Sequence, residues 1–405
     1  MSKRALTRTV GGTACLLAAA GASAQIMTPT MVLDPVAAMT NAGYGTSVAL
    51  TSTVAAIGSV SDNRVYIYPR TMNGVGEPIV LTDPFGRSKG LGSAIAMQGS
   101  TLVAGAPLID VCGPAGGPMS SGVLMVYELR AERTSAQQLT HSGQDRIDQF
   151  GCSVAIDGDT IIAGAKYDNS SGHSAGTAWT FRRVNGVWAL EAQLVGNDAR
   201  MGDLAGWSVD IKGDVAVVGA PMDSSTINQA GSARIFERGP GGWTHVASLE
   251  APTPTELGAF GVAVATDGTR VVVGETRRNR AHVFVRGSNG WRLEQTIPGA
   301  RWGGEFGAKI EIDGDRLFVG APQQNTVETF SLNAGRWTRT DRLTSSLATP
   351  GSQFGIAMAL HGRDLLVGAR FAGPDGLAVM PRERLGSGSP SGNAATPAGT
   401  GLISR

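Results

Sequence analysis

A surplus of charge of one sign is missing from this chain: 34 Lys and Arg face 33 Asp and Glu. A nucleic-acid binder needs a concentrated basic footprint, so that class of partner is excluded. Long apolar runs are also missing. Past the first two dozen residues, no stretch approaches the roughly 18 apolar residues that a membrane span requires. Aromatic residues make up only 6%, and no long amphipathic helix is evident, which argues against a helical bundle. There are 3 cysteines, and no nucleophile motif or metal-ligand spacing stands out. In contrast, glycine is abundant, at 57 residues, as expected for many short strands and tight turns.

The first 24 residues have a basic start (Lys3, Arg4, Arg8), an apolar stretch through Leu16 to Ala20, and the small residues Ala22-Ser23-Ala24. This pattern predicts a secretory signal peptide, residues 1–24, cut after Ala24. Lipid attachment at Cys15 is disfavoured, because Gly12-Thr13-Ala14 lacks the expected Leu and the apolar stretch before it is too short. Without the leader's three basic groups, 31 basic residues face 33 acidic ones. The expectation is an exported protein, secreted, periplasmic or at the cell surface. Residues 25–385 would form its folded part, and 386–405 a flexible tail of Gly, Ser, Pro and Ala.

One phrase recurs through the folded part. Glycines at 45, 92, 151, 206, 261, 307 and 355 are each followed thirteen residues later by another, at 58, 105, 164, 219, 274, 320 and 368. In the third copy, "SVAI" alternates as a strand does, "DGD" supplies an Asp-Gly type I′ turn, and "TIIAGA" returns as a buried strand. "GTAWTFRRV" and "VWALEAQLV" add a third and a fourth strand. A four-stranded meander of this size cannot cover its own faces, and radial packing of such sheets does so. The expected fold is therefore all-β, a seven-bladed β-propeller of four-stranded antiparallel blades. Phe150, Phe260, Phe306 and Phe354 would wedge between blades. The last copy lacks a fourth strand, and Met31 to Leu33 in the N-terminal strand is expected to supply it.

Phe-Gly opens several copies, and Gly-Ala-Pro closes those at 105–107, 219–221 and 320–322. On these motifs the chain resembles the FG-GAP repeat family, the unit of the integrin alpha-chain head, over nearly all of residues 31–381. The resemblance implies a seven-bladed propeller used outside the cell for adhesion or ligand binding. It does not carry calcium with it. The first hairpin turns ("IDGDT", "TDGTR", "IDGDR") are too short to supply the six to eight oxygens that calcium takes. Asp157, Asp159, Asp313 and Asp315 read as turn formers, and no cofactor is expected. The compact turns resemble the secreted bacterial variety of the repeat.

Loops after the second strand should share one face with the connectors between blades. They are long in copies two to four (107–121, 166–175, 221–230) and short in copies five to seven, and long loops on a rigid frame are where ligands are sought. On that face, Arg277, Arg278, Arg280, Arg301 and Trp302 suit a sulfated, phosphorylated or uronate sugar, or an acidic protein surface. His141, Asp145, Asp148, Asp168 and His173 offer imidazole and carboxylate groups of the kind that hold a divalent metal or act in acid-base chemistry, and His141, Asp168 and His173 join the ligand-binding candidates. No ligand spacing joins them, so apart from that they read as solvated loop residues with no metal. Trp188, Trp243, Trp291 and Trp337 read as structural. Cys112 and Cys152 fall on adjacent blades of this face, and their pairing stays open. The expected function is that of a monomeric, non-catalytic binding or adhesion module for an extracellular glycan or protein. The alternative is a polysaccharide-active lyase or hydrolase with its site on the same face.

Overall fold

In a computed structural model of the chain, the described residues are 26–27, 31–33, 43–71, 74–86, 88–109, 122–130, 134–143, 148–345, 348–370 and 377–380. The signal segment, Cys112, Asp145 and the tail lie outside them. No helix among the described residues is long and apolar enough to cross a membrane.

The repeating phrase is an antiparallel sheet. Repeat three is Ser153–Asp157, Thr160–Ala165, Thr177–Val184 and Val187–Leu194, paired in that order. Repeat four (Ser208–Lys212, Val215–Ala220, Ser232–Gly239, Gly242–Leu249) and repeat five (Phe260–Thr266, Arg270–Glu275, Arg280–Gly287, Gly290–Pro298) follow the same path. The sheet of repeat six takes Ile26–Met27 as an extra strand, parallel to Arg336–Ser345 on its outer edge, which the sequence had not indicated. In the sheet containing Ala357–His361 and Asp364–Ala369, Leu377–Met380 pairs antiparallel with Met31–Leu33, joining the two ends of the chain in one sheet. The architecture is an all-β propeller of four-stranded antiparallel blades.

The thirteen-residue spacing has a physical cause. The opening glycine donates its N–H to the carbonyl of its own closing glycine, Gly151 to Gly164 at 2.9 Å and Gly206 to Gly219 at 3.1 Å. Its φ of +85° at Gly151 suits glycine and turns its carbonyl onto the closing glycine of the preceding repeat. A Cβ on Gly105 would lie 1.9 Å from that Gly151 oxygen. The same approach joins Gly58 to Gly92, Gly164 to Gly206, Gly219 to Gly261, Gly274 to Gly307, Gly320 to Gly355, and finally Gly368 back to Gly45. The serine two residues after the opening glycine adds a bond across the same seam: Ser153 Oγ donates to Gly206 O at 2.8 Å, and Ser208 Oγ to Gly261 O at 2.9 Å.

Between these backbone seams lies the core. Phe150 packs among Val103, Leu124 and Val126 of one sheet and Ile161 and Phe181 of the next. Phe260 and Phe306 take equivalent places, and Tyr44, Leu91 and Ala205, which replace phenylalanine, are also buried. The four tryptophans after the third strand are structural as expected: the indole N–H of Trp243 reaches Glu191 at 3.1 Å and that of Trp337 reaches Glu294 at 3.1 Å.

The first hairpin differs from the expected type I′ turn. Asp157 pairs with Thr160, so the two loop residues are Gly158 and Asp159, and only Gly158 has positive φ (+58°). Glycine at the first loop position with ordinary φ at the second is the type II′ pattern, which leaves the aspartate before it free to bond outward. Asp157 does so, accepting from Lys212 Nζ and from the Gly213 N–H, each at 2.8 Å. The Asn185-Gly186 turn, with both φ positive, is the type I′ one.

Candidate functional site

In repeats three and four the long loop and the connector that follows it share a face, and backbone bonds tie them together. In repeat three, the carbonyls of His173, Ser174 and Ala175 accept from Gly202, Leu204 and Ala205 of the following connector. The long loops of repeats three and four are each organised by one aspartate four residues past the closing glycine. Asp168 Oδ1 accepts from the Ser170 N–H at 2.8 Å, and its carbonyl accepts from Gly176 at 3.0 Å. Asp223 does the same with Ser225 at 2.7 Å and Gly231 at 3.0 Å.

Repeats five and six have short 3-10 turns instead, Thr276–Arg278 and Pro322–Gln324, each closed by an asparagine in the left-handed region, Asn279 and Asn325. Hydrogen bonds tie the repeat-four loop to this low side. Asn228 Nδ2 of the repeat-four loop donates to Glu256 at 3.1 Å, and Arg278 donates to Thr255 Oγ1 at 2.6 Å and to the Glu256 carbonyl at 3.3 Å. Gly299 N–H reaches the Asn279 carbonyl at 2.9 Å, and Gln324 joins the Arg301 carbonyl (3.0 Å) to the Arg342 guanidinium (3.1 Å). Arg278 is thus held by the scaffold. Arg277 and Arg301 are exposed, and Arg280 is half-buried. Trp302, on the connector between the two turns, is 76% exposed rather than packed between blades. Burial, only partly offset by Glu328, lowers the Arg342 pKa, and the like charges of Arg301 and Arg339 add to the effect. Arg301, Arg339 and Arg342 thus lie near one another, with Arg339 Nε paired to Glu328 at 2.7 Å.

Three of the imidazole and carboxylate residues read as solvated are not. His141, Asp148 and Asp168 are buried, and their ligand-type atoms lie within 4.8 Å of one another. His141 packs into the core, stacking on Trp179 (ring centroids 4.6 Å apart) and meeting the Phe150 edge (4.8 Å). His173 is exposed and does not join them. In repeat four the matching aspartates, Asp203 and Asp223, close on the buried Arg234, with its Nη2 at 2.5 and 3.2 Å and its Nε 2.7 Å from Asp198. Burial raises the Asp203 pKa despite this partner. Repeat five puts a buried His282 at the same register position, with Nε2 3.0 Å from Glu275. Aligning the copies on their glycines would have revealed these sites: Asp148 and Asp203 stand three before the opening glycine, and Asp168 and Asp223 four after the closing one.

An axial channel, missed entirely from sequence, runs between the inner strands. One cavity of about 180 Å³ is lined by Val48, Ile95, Val154, Val264, Ile310 and Met358, with Asp210, Lys309 and Glu311 among them. Lys309 Nζ lies 2.8 Å from Glu311 Oε1, and Asp210 Oδ2 accepts from the Thr266 N–H at 2.7 Å. Asp210 is half-buried but walled by the channel. Desolvation, reinforced by the Glu311 charge, pushes its pKa up to about 7. Cys152 lines a second cavity of about 180 Å³ toward the loop face, and burial pushes its thiol pKa up. Its pairing with Cys112 falls outside the described residues.

The sheets, their glycine seams and the loops gathered on one face define a β-propeller. The chain carries FG-GAP repeats, whose family model matches residues 134–181 and 188–236. No curated protein matches it. Among solved structures it is similar to U3-55K, at 10% identity over 87% of this chain and 98% of that one, with a TM-score of 0.58. It is also similar to the RRP9 WD40 repeats, at 11% identity over 89% and 99% (TM-score 0.59), and to a streptogramin B lyase, at 8% over 87% and 97% (TM-score 0.57). At such identities the likeness is one of fold alone.

Proposed function

We propose that this chain is an exported, monomeric, non-catalytic binding module of the secreted bacterial kind. In this reading it is a ring of seven blades sealed by Met31–Leu33, presenting its loop face to an extracellular glycan or protein. The observation that carries the proposal is the ledge at repeats five and six. There Trp302 is 76% exposed beside Arg301, with Arg277 on the adjoining turn and Arg280 opening the strand after it. An exposed indole offers a stacking surface for a sugar ring, and guanidinium groups bind carboxylate or sulfate in a bidentate fashion. The most favoured ligand is therefore an acidic saccharide. The seven glycine seams, ending with Gly368 on Gly45, support the ring, and the leader's basic and apolar pattern supports export.

Calorimetric titration of the mature protein with sulfated and polyuronate oligosaccharides is the test. Binding is expected to weaken with salt, and Trp302→Ala is expected to reduce affinity about tenfold. Neutral glycans should not compete. Failure of glycan, protein and cell-surface arrays to detect any binding would remove the proposal's support. A second reading, polysaccharide lyase or hydrolase, finds support only in the channel carboxylate Asp210, whose raised pKa suits a general acid. Hydrolysis abolished by Asp210→Asn would favour it.

A further inference from the structure

We infer that His141, Asp148 and Asp168 form a site for one divalent metal ion of the zinc class, joining the connector into repeat three to that repeat's long loop.

The argument starts from the histidine. Its Nδ1 lies 3.2 Å from the Ser142 carbonyl, which can only accept, so Nδ1 carries a proton and donates. With that proton on Nδ1, the Nε2 of the neutral ring is a bare lone pair. That nitrogen is buried, takes part in no hydrogen bond, and lies 3.6 Å from Asp148 Oδ2. A lone pair facing a carboxylate oxygen out of water is repulsive unless positive charge stands between them. Nδ1 bonded to a backbone carbonyl is also the usual outer-shell arrangement of a metal-binding histidine, because it fixes the tautomer and aims Nε2 at the ion.

The neighbouring blade shows what the same frame requires. Asp203 and Asp223 occupy the positions of Asp148 and Asp168 and close on a cation, the Arg234 guanidinium. At the register position of Arg234, pairing with the residue before the closing glycine, repeat three has the uncharged Trp179. One imidazole nitrogen and two carboxylate oxygens suit zinc, whereas calcium and magnesium prefer oxygen donors alone. A small rotation of the two carboxylates would bring donors now within 4.8 Å of one another onto a single ion. The site is closed to solvent, so its role is structural: it pins the long loop of repeat three.

The experiment is titration of chelator-treated, re-dialysed mature protein with Zn²⁺, with Ca²⁺ and Mg²⁺ as controls and Co²⁺ as a spectroscopic substitute. The inference expects one Zn²⁺ per chain and a higher unfolding temperature with zinc. It also expects visible Co²⁺ bands of a nitrogen and oxygen ligand set, with no comparable effect of Ca²⁺ or Mg²⁺. Asp168→Asn and His141→Ala should each lower affinity on the order of 100-fold, at least as much as loss of an outer-shell partner, while His173→Ala should leave it unchanged. If His141→Ala does not fold, Asp168→Asn and the Co²⁺ spectrum decide. Absence of binding at micromolar Zn²⁺, as for a plain imidazolium–carboxylate pair, overturns the inference. So does binding that survives Asp168→Asn or is lost with His173→Ala.

Discussion

Asp210 illustrates how much one side chain's surroundings can change its behaviour. On an open strand its carboxyl would ionise near the ordinary value of 3.8; in the channel, away from bulk water and near Glu311, it does so at about 7. The folded protein therefore keeps a proton that the unfolded chain has already lost between pH 4 and 7. Stability falls as pH rises through that window, and the penalty is complete above it. Asp210→Asn should accordingly raise the unfolding temperature at pH 8, by on the order of 1–3 kcal/mol of stability after solvent screening, and leave it little changed at pH 4. Equal effects at the two pH values in calorimetric scans would contradict this reading. The sequence "SVDIK" gave no sign of it, because a single aspartate on an alternating strand looks like any solvent-facing residue. Only the ring of inner strands makes that side a channel.

At the scale of the element, the glycine seam was legible and the polar clusters were not. Thirteen-residue spacing, Phe-Gly and Gly-Ala-Pro repeat as letters, so the sheets, the wedge position of Phe150 and the structural tryptophans could all be read directly. The residues that differ between repeats escaped that reading. Trp179, Arg234, His282 and Glu328 share one register position but not one chemistry, and a pattern made by position alone appears only when the copies are superposed. His141 and Asp168 were misplaced for a related reason: polar residues between strands read as solvated, whereas both are buried here and His141 stacks on Trp179. The seam itself makes a sharp prediction. A methyl group on Gly164 would stand 1.9 Å from the Gly206 oxygen and 2.4 Å from Ser153 Oγ, with backbone on one side unable to give way. Gly164→Ala should cost about 3 kcal/mol or more. Gly239→Ala, with nothing within 4 Å, should stay within about 0.5 kcal/mol of wild type. Chemical denaturation of the pair tests the contrast; a similar midpoint for both would contradict it.

At the scale of the whole molecule, joining the chain ends in one sheet makes stability depend on a short N-terminal strand. Leu33 is 1% exposed and packs with Tyr44, Ile57 and Leu366, so Met31–Leu33 contributes core as well as edge pairing. Deleting residues 25–36 should lower the unfolding temperature far more than deleting 386–405, and equal effects would reject the closure. A frame fixed in this way lets the loop face act as a rigid platform, with a tall side at repeats three and four and an arginine-rich ledge beside Trp302. Hydrogen exchange of the mature protein with and without a saturating acidic oligosaccharide tests that use most directly. Protection confined to residues 276–280 and 299–305 is the predicted result. Protection only at the opposite mouth of the channel, or none anywhere on the loop face, would contradict the account.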